Sequence, residues 1–330
     1  MKMRSREKKS KSRSISKSHL SPQRMNEIGL AIALLVIVIF LSIRSPYFAS
    51  FSNMWAILGA AALIGIVAWS QTLIIIAGDI DLSVGPAVAF WSVILAELLT
   101  KFHLNLFLAI ILTLFGGWAV GCFAGWIRGR FGVPAFIVTL GLWSSFRGAA
   151  QFITNSLPVS INPSGFMDFL SGKVGPIPTP AVLMFVLFII FSFIARRTTF
   201  GRSVYAVGGN PRAAMLAGIN VIKIRVLIFG ISGMLSAFLG LVIAARLSSG
   251  SSSAAQGLEF TVITAVVVGG TSLSGGRGTL LGTLLGTLFI AVIGNGLIIL
   301  SVNSYFQDVL TGFLIVGAVL INTIVSRRRD

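Results

Sequence analysis

Residues 196–225 read RRTTFGRSVYAVGGNPRAAMLAGINVIKIR, the longest clearly polar interruption in an otherwise oily chain. Six of its thirty residues are Lys or Arg, and hydrophobic spans stack up on both sides of it. Asn210 and Pro211 mark a helix start, with Asn as N-cap and Pro at the first helical position. Ala213, Ala214, Met215, Leu216 and Ala217 are mostly good helix formers, and Gly218 is a natural C-terminal stop. The stretch therefore reads as a short helical knob, presented to an aqueous partner between two membrane-embedded halves.

Composition sets the surroundings of that knob. The chain has 330 residues, 55% apolar and 11% charged, with a mean hydropathy of +0.94. A soluble domain carries about 25% charged residues, so this is an all-α integral membrane protein, with room for roughly ten helices of about twenty residues. The single cysteine, Cys122, lies in an apolar run and reads as a packing residue. His19 and His103 sit far apart, and neither HExxH nor CxxC occurs, so a metal or other cofactor has no support. The net charge of +17 is spread in a way that argues against nucleic acid. Residues 1–27 contribute +7, and the rest sits in short loops between apolar spans, which is the footprint of membrane orientation. We read 1–27 as a disordered basic cytoplasmic tail near anionic lipid heads, 28–325 as the polytopic transmembrane domain, and 326–330 as a second basic cytoplasmic tail. The polar region before Ile28 is too long for a cleavable signal peptide.

Ten apolar segments can be drawn, at 28–43, 54–77, 84–99, 104–127, 133–154, 181–195, 226–247, 258–268, 280–300 and 308–325. The eighth is too short to span and suggests a half-helix, so broken or re-entrant segments are expected near 78–86 and 258–279. With the amino terminus inside, inner loops collect 21 Lys/Arg and outer loops four, Arg147 falling within a span. That asymmetry puts both termini in the cytoplasm and requires an even number of spans. The long outer loop, Asn155–Pro180, carries five prolines (Pro158, Pro163, Pro176, Pro178 and Pro180), which forbid a long helix and suggest a stiff, extended cover. Tyr47, Phe48, Phe51, Trp55 and Trp126 read as interfacial anchors. Gly121, Gly125 and Gly129, and again Gly278, Gly282 and Gly286, recur every four residues, a spacing that lets backbones approach closely. The first run suits interior packing; the second fits either the interior or a subunit contact.

Two Gly-rich breaks interrupt the spans: GDIDLSVG at Gly78–Gly85 and GGTSLSGGRGT at Gly269–Thr279. Both fit G-x-x-x-L-S-x-G, by duplication or by chance. The second is not a P-loop, because Gly276-Arg277 stands where Lys and a hydroxyl residue are needed. Asp79 and Asp81 are costly so near a span; they either serve function or cap the next helix. Glu97 and Arg147 both lie about 20 Å from the inner ends of their spans, which suggests a buried ion pair. Gln71, Ser83, Thr139, Ser144, Ser145, Gln151, Asn155 and Asn295 are polar groups near or on apolar spans. Together with Asp79 and Asp81 they could line a solute path, or simply join helices by hydrogen bonds.

GDIDLSVG, FGRSVYAVGGNPRAAMLAGIN (Phe200–Asn220) and GGTSLSGGRGT, in this order and spacing, resemble the permeases of bacterial ABC importers for ribose, xylose, arabinose and the autoinducer signal. The likeness runs from about Ile28 to Ile324. It implies a non-enzymatic permease of the bacterial inner membrane that works as a dimer of identical or related subunits. It also implies two cytoplasmic ABC ATPase subunits and a periplasmic sugar-binding protein. Such permeases present a coupling helix with E-A-A-x-x-x-G to the ATPase. Ala213, Ala214 and Gly218 match its A-A-x-x-x-G part, Gly209, Asn210 and Pro211 precede it, and Arg212 replaces the acidic residue. Transport by alternating access follows from the resemblance. An ion- or proton-coupled secondary transporter using Asp79, Asp81 and Glu97 is the competing reading. An intramembrane aspartyl protease fails, since Asp79 and Asp81 point apart on an extended segment and no other span supplies a matching Asp.

Overall fold

A computed structural model describes residues 22–162 and 165–303, with single positions beyond as far as 320. In chain order its elements are α1 (Pro22–Arg44), α2 (Phe51–Ile76), α3 (Val84–Thr100), α4 (Leu106–Phe131), α5 (Ala135–Thr154), β1 (Val159–Ser160), α6 (Gly165–Ser171), β2 (Lys173–Val174) and β3 (Ile177–Pro178). Then follow α7 (Thr179–Arg197), α8 (Thr199–Gly209), α9 (Pro211–Leu216), α10 (Val221–Leu247), β4 (Ser249–Gly250), α11 (Leu258–Val268) and α12 (Leu280–Ile299). Among the described residues six helices, α1, α2, α4, α7, α10 and α12, are long and apolar enough to cross a membrane. The apolar α3 and α11 are shorter, and α5 has the length but a more polar sequence. The tenth expected segment, 308–325, and the two charged tails lie for the most part outside the described residues. Helix α1 starts at Pro22, six residues before the boundary expected for the first tail.

The helix starts are set locally. Ser50, Asn105, Asn220 and Thr279 each accept a backbone N–H three residues on, and so cap α2, α4, α10 and α12. Gly132, at φ +71°, closes α4 in the left-handed conformation that favours glycine.

Helix α2 is the axis of the bundle, with every residue from Ala61 to Ile76 except Leu63 buried. It packs against α7, α10, α11 and α12. Three polar or backbone links fasten it to α12 and the break before α12. The Asn53 and Asn295 amides bond reciprocally at 3.0 and 2.8 Å. The Thr72 and Thr283 hydroxyls meet at 2.7 Å, and the Gly276 N–H donates to Ile76 O at 2.8 Å.

Helices α4 and α10 form the second scaffold. Gly117, Gly121 and Gly125 press directly on the α10 backbone at Gly233, Phe229 and Arg225, where any Cβ would overlap main-chain atoms. The second glycine run is also interior, since Gly282 and Gly286 meet the backbone of Gly269 and Ala265.

The Asn155–Pro180 loop is a compact lid, which corrects the expectation of an extended cover. β1 pairs antiparallel with β4 (Val159↔Gly250), and β2 pairs with β3. Between the two pairs the short α6 buries Met167 and Leu170 against Leu95, Ala96, Ala109 and Leu241. The prolines do exclude a long helix, but the loop has enough apolar side chains to dock about two turns of it. Phe48 is likewise a correction: it is 3% exposed and belongs to the core, whereas Tyr47 and Phe51 are exposed. The lid marks one end of the bundle. Helices α8 and α9 and both Gly-rich breaks mark the other, the knob end.

Candidate functional site

The knob is built from two short helices. Thr198 caps α8, its hydroxyl accepting the Gly201 N–H at 3.1 Å. The Asn210 side chain then accepts the N–H groups of Arg212 and Ala213, both at 3.0 Å, and Pro211 opens α9 at a position needing no donor. Gly218, at φ +83°, ends it, and the Ile219 N–H returns to Ala214 O at 3.0 Å. The start and stop expected from sequence are therefore present. Ala214 is the buried contact of α9, while Arg212, Ala213, Met215 and Leu216 project outward. Leu216 is 88% exposed. The exposed Met215–Leu216 pair beside Arg212 is an apolar patch that no described residue of this chain covers.

Behind the knob the three sequence motifs converge. Val204 and Val207 bury the inner face of α8. Gly208 lies against Ile76 O and Gly276 N so closely that a Cβ has no room. The Tyr205 hydroxyl donates to Gly278 O at 2.9 Å. Burial raises the Tyr205 phenol above its ordinary value against the opposing effect of Arg196, so the hydroxyl remains a donor at neutral pH. Gly275, at φ +83°, lets the second break touch Gly208 O and Gly78. Thr279, the α12 cap, also donates to Glu27 of α1 at 2.5 Å. Helix α8 therefore touches both the end of α2 and the break before α12.

The first break holds the other scaffold. Asp79 is buried, and its two oxygens receive Arg128 Nε of α4 at 2.6 Å and Arg225 Nε of α10 at 3.1 Å. Asp81 receives the Ser83 N–H and hydroxyl at 2.9 and 2.6 Å and the Ser232 hydroxyl at 2.8 Å. The Gln71 amide donates to Asp81 O at 2.6 Å, and the Thr139 hydroxyl reaches Ile80 O at 3.3 Å. Asp81 stands just before α3 without capping it, its bonds going to Ser83 and Ser232, and Asp79 clamps two helices, so neither is the simple helix cap of the alternative.

The solute-path expectation is not borne out as one site. Asp79, Asp81, Ser83 and Gln71 form this packed internal network. Asn155 is instead the left-handed C-cap of α5, exposed at the lid end, and Asn295 is paired with Asn53. The Glu97–Arg147 pair is also corrected. Glu97 pairs with Lys101 on its own helix at 4.0 Å, and the Arg147 guanidinium lies over the Trp143 ring at 5.3 Å. Counting from helix ends assumed that α3 and α5 start level. Phe146 packs on Phe90 at 5.1 Å and Trp91 at 6.3 Å, so Arg147 stands about 8 Å below Glu97.

Sequence reasoning did not single out Arg128, Arg225, Ser232, Tyr205 or Glu259. The two arginines were counted only as orientation signals, although their position near span ends opposite an intramembrane Asp was available as a pairing cue. Glu259, the one carboxylate in the eighth apolar segment, was passed over as part of a hydrophobic run.

Residues 53–319 match a family model described as "Branched-chain amino acid transport system / permease component". The chain is 52% identical to a probable ABC transporter permease protein, YphD, of Escherichia coli, over 96% of this chain and 95% of the relative. It is 38% identical to the ribose import permease protein RbsC of Bacillus subtilis, over 90% and 93% of the two chains. It is 35% identical to the L-arabinose ABC transporter permease protein AraH of Azospirillum brasilense, over 90% and 88%. No solved structure matches the chain.

Proposed function

This chain belongs to the family of branched-chain amino acid transport system permease components, and on that premise we propose that it moves a sugar or sugar-like solute across the bacterial inner membrane. It is the membrane-spanning permease subunit of an ABC importer and not an enzyme. The sugar reading is supported by relatives named for ribose and L-arabinose import. We read the bundle as ten spans with both termini in the cytoplasm, which makes the knob end cytoplasmic and the lid end periplasmic. Two such permeases, identical or related, two ATPase subunits and a periplasmic sugar-binding protein make up the working importer.

One observation carries the mechanism: an exposed α9 stands on α8, and α8 is seated without slack on Ile76 and Gly276. Gly209, Asn210, Pro211 and Gly218 shape the knob. Ala214 lets it sit close, and Arg212, Ala213, Met215 and Leu216 meet the ATPase. Closure of the ATPases on ATP pushes α9, and α8 passes the displacement to α2 and to the α11–α12 break. Those helices then tilt against the α4–α10 scaffold, and the solute compartment opens alternately to either side. Arg212 in place of an acidic residue implies an acidic or carbonyl partner on the ATPase.

The ion-coupled alternative draws no support from the geometry, because Asp79 is held by two arginines, Asp81 by three donors, and Glu97 by Lys101. The test is uptake of labelled D-ribose and L-arabinose by proteoliposomes holding the permease, its ATPase and its binding protein. Leu216→Asp is expected to abolish ATP-driven uptake while leaving the permease folded. Uptake driven by membrane potential, with no ATPase present, overturns this function.

A further inference from the structure

Helix α5 is the anomaly among the long helices. The exposed faces of the others are oily: Ile32, Leu35 and Ile39 on α1, Phe107, Ile111 and Phe115 on α4, Ile189 and Phe193 on α7. These are surfaces for lipid. On α5 the middle of the exposed face carries Gly141, Ser144, Ser145, Gly148 and Gln151, spaced i, i+3, i+4, i+7 and i+10, with Phe136, Ile137, Leu140 and Phe152 exposed toward its two ends. A polar stripe on a spanning helix faces water or protein rather than hydrocarbon.

Beside this stripe lies a crevice of about 60 Å³ between α5, the start of α3 and the turn into α11. Its floor is Glu259, in the first turn of α11 and 2% exposed. One carboxylate oxygen accepts the Trp143 indole N–H at 2.9 Å, while the other, Oε2, has no hydrogen-bond partner. Gly85 backs onto that oxygen, and a Cβ there would strike it. Arg147 forms one wall, stacked on the Trp143 ring, and Gln151 and Gln256 stand at the rim. An acceptor left unsatisfied at this depth is costly, so it calls for a donor from outside the chain.

We propose that the α5 stripe and the Glu259 crevice form the solute-contacting wall of the translocation path, and that they take a neutral polyhydroxylated ring by its hydroxyl edge. Glu259 accepts a solute hydroxyl, Arg147 and the two glutamines donate to or accept from its neighbours, and the small Ser and Gly side chains leave room for the ring outside the crevice. The space suits an edge of a sugar and not the whole molecule. One cation and one carboxylate leave the wall without net charge, which favours a neutral cargo. This rests on the permease reading above and adds the residues that touch the cargo.

The test uses the assembled importer in proteoliposomes. In a Cys122→Ala background, Ser144→Cys, Gln151→Cys and, as a lipid-facing control, Ile189→Cys are exposed to a charged methanethiosulfonate reagent. The α5 thiols are expected to react and to be shielded when D-ribose, L-arabinose or D-fructose is being transported; Ile189→Cys is expected to stay inert. Glu259→Gln is expected to lower sugar uptake about tenfold and to erase any preference for ribose over 2-deoxyribose, with ATP hydrolysis and assembly retained. If the unaltered importer takes up none of these sugars, the sugar reading itself falls, and this wall falls with it. If it transports normally but the α5 thiols are inert, or Glu259→Gln and Gln151→Ala transport like the parent, the wall alone is refuted. Shielding by L-leucine and by no sugar also overturns it.

Discussion

Replacing Asp79 by Asn isolates the clamp between the first break and the α4–α10 scaffold. The carboxylate is 2% exposed and faces Arg128 and Arg225, whose side chains are 20% and 11% exposed. Asn can keep one weak hydrogen bond, but it leaves two cations facing each other in a poorly hydrated site. Removing one member of a buried pair costs about 3–5 kcal/mol, chiefly because the remaining charge stays buried. Arg128 has partial access to water, so the lower end, about 3 kcal/mol, is expected. The Asp79→Asn, Arg225→Met double variant should recover a large part of this loss, since Met packs in the same space and no dehydrated cation is left at Arg225. The assay is unfolding in detergent of the parent, both singles and the double, read as a double-mutant cycle. Additive singles, or a cost for Asp79→Asn within about 0.5 kcal/mol of zero, as at an unconstrained surface site, would refute the clamp. A stable Asp79→Asn protein that has lost uptake would identify Asp79 as a carrier group instead.

Gly208→Val should lift α8 from Ile76 and Gly276; ATP hydrolysis continues but sugar uptake falls, as measured by the ratio of the two rates. Gly121→Leu drives a side chain into the Phe229 backbone and should abolish the folded protein, seen as loss of a monodisperse peak on size exclusion, whereas Gly29→Ala on the open face of α1 should be silent. Asn53→Leu strands the Asn295 amide and the Phe48 carbonyl and should cost about 1–3 kcal/mol in thermal unfolding, while Leu at both positions should recover only the part due to Asn295.

Much of this arrangement was legible in the sequence, and the parts that were not share a cause. Asn210, Pro211 and Gly218 act through their own backbone conformations, so the knob could be read from a dozen neighbouring residues. The α4 glycines were equally clear, because their spacing alone fixes which face must lie against a backbone. What lies across helices was harder. The Glu97–Arg147 error came from relative height, which depends on how far α5 slides along α3, and the Phe90–Phe146 packing that sets this slide leaves no periodic trace. Asp79 was flagged as costly, yet its partners are 49 and 146 residues away. Glu259 was hidden because a single acid inside an apolar segment looks like noise until the space around it is seen. The convergence of the three motifs at Ile76, Gly208 and Gly276 likewise required the fold.

The bonds between α2 and α12 have a mechanical consequence. Asn53–Asn295 joins the two helices near the lid end, and Thr72–Thr283 and Ile76–Gly276, one turn apart on α2, join it to α12 and to the break before α12 at the knob end. A beam braced at three points does not flex between them. Force applied at the knob end therefore arrives at the lid end as a tilt of equal angle, with displacement growing with distance from the fulcrum. The stub α11, pressed backbone to backbone on α12 at Gly282 and Gly286, is carried with the pair, so the yielding falls between this assembly and the α4–α10 scaffold.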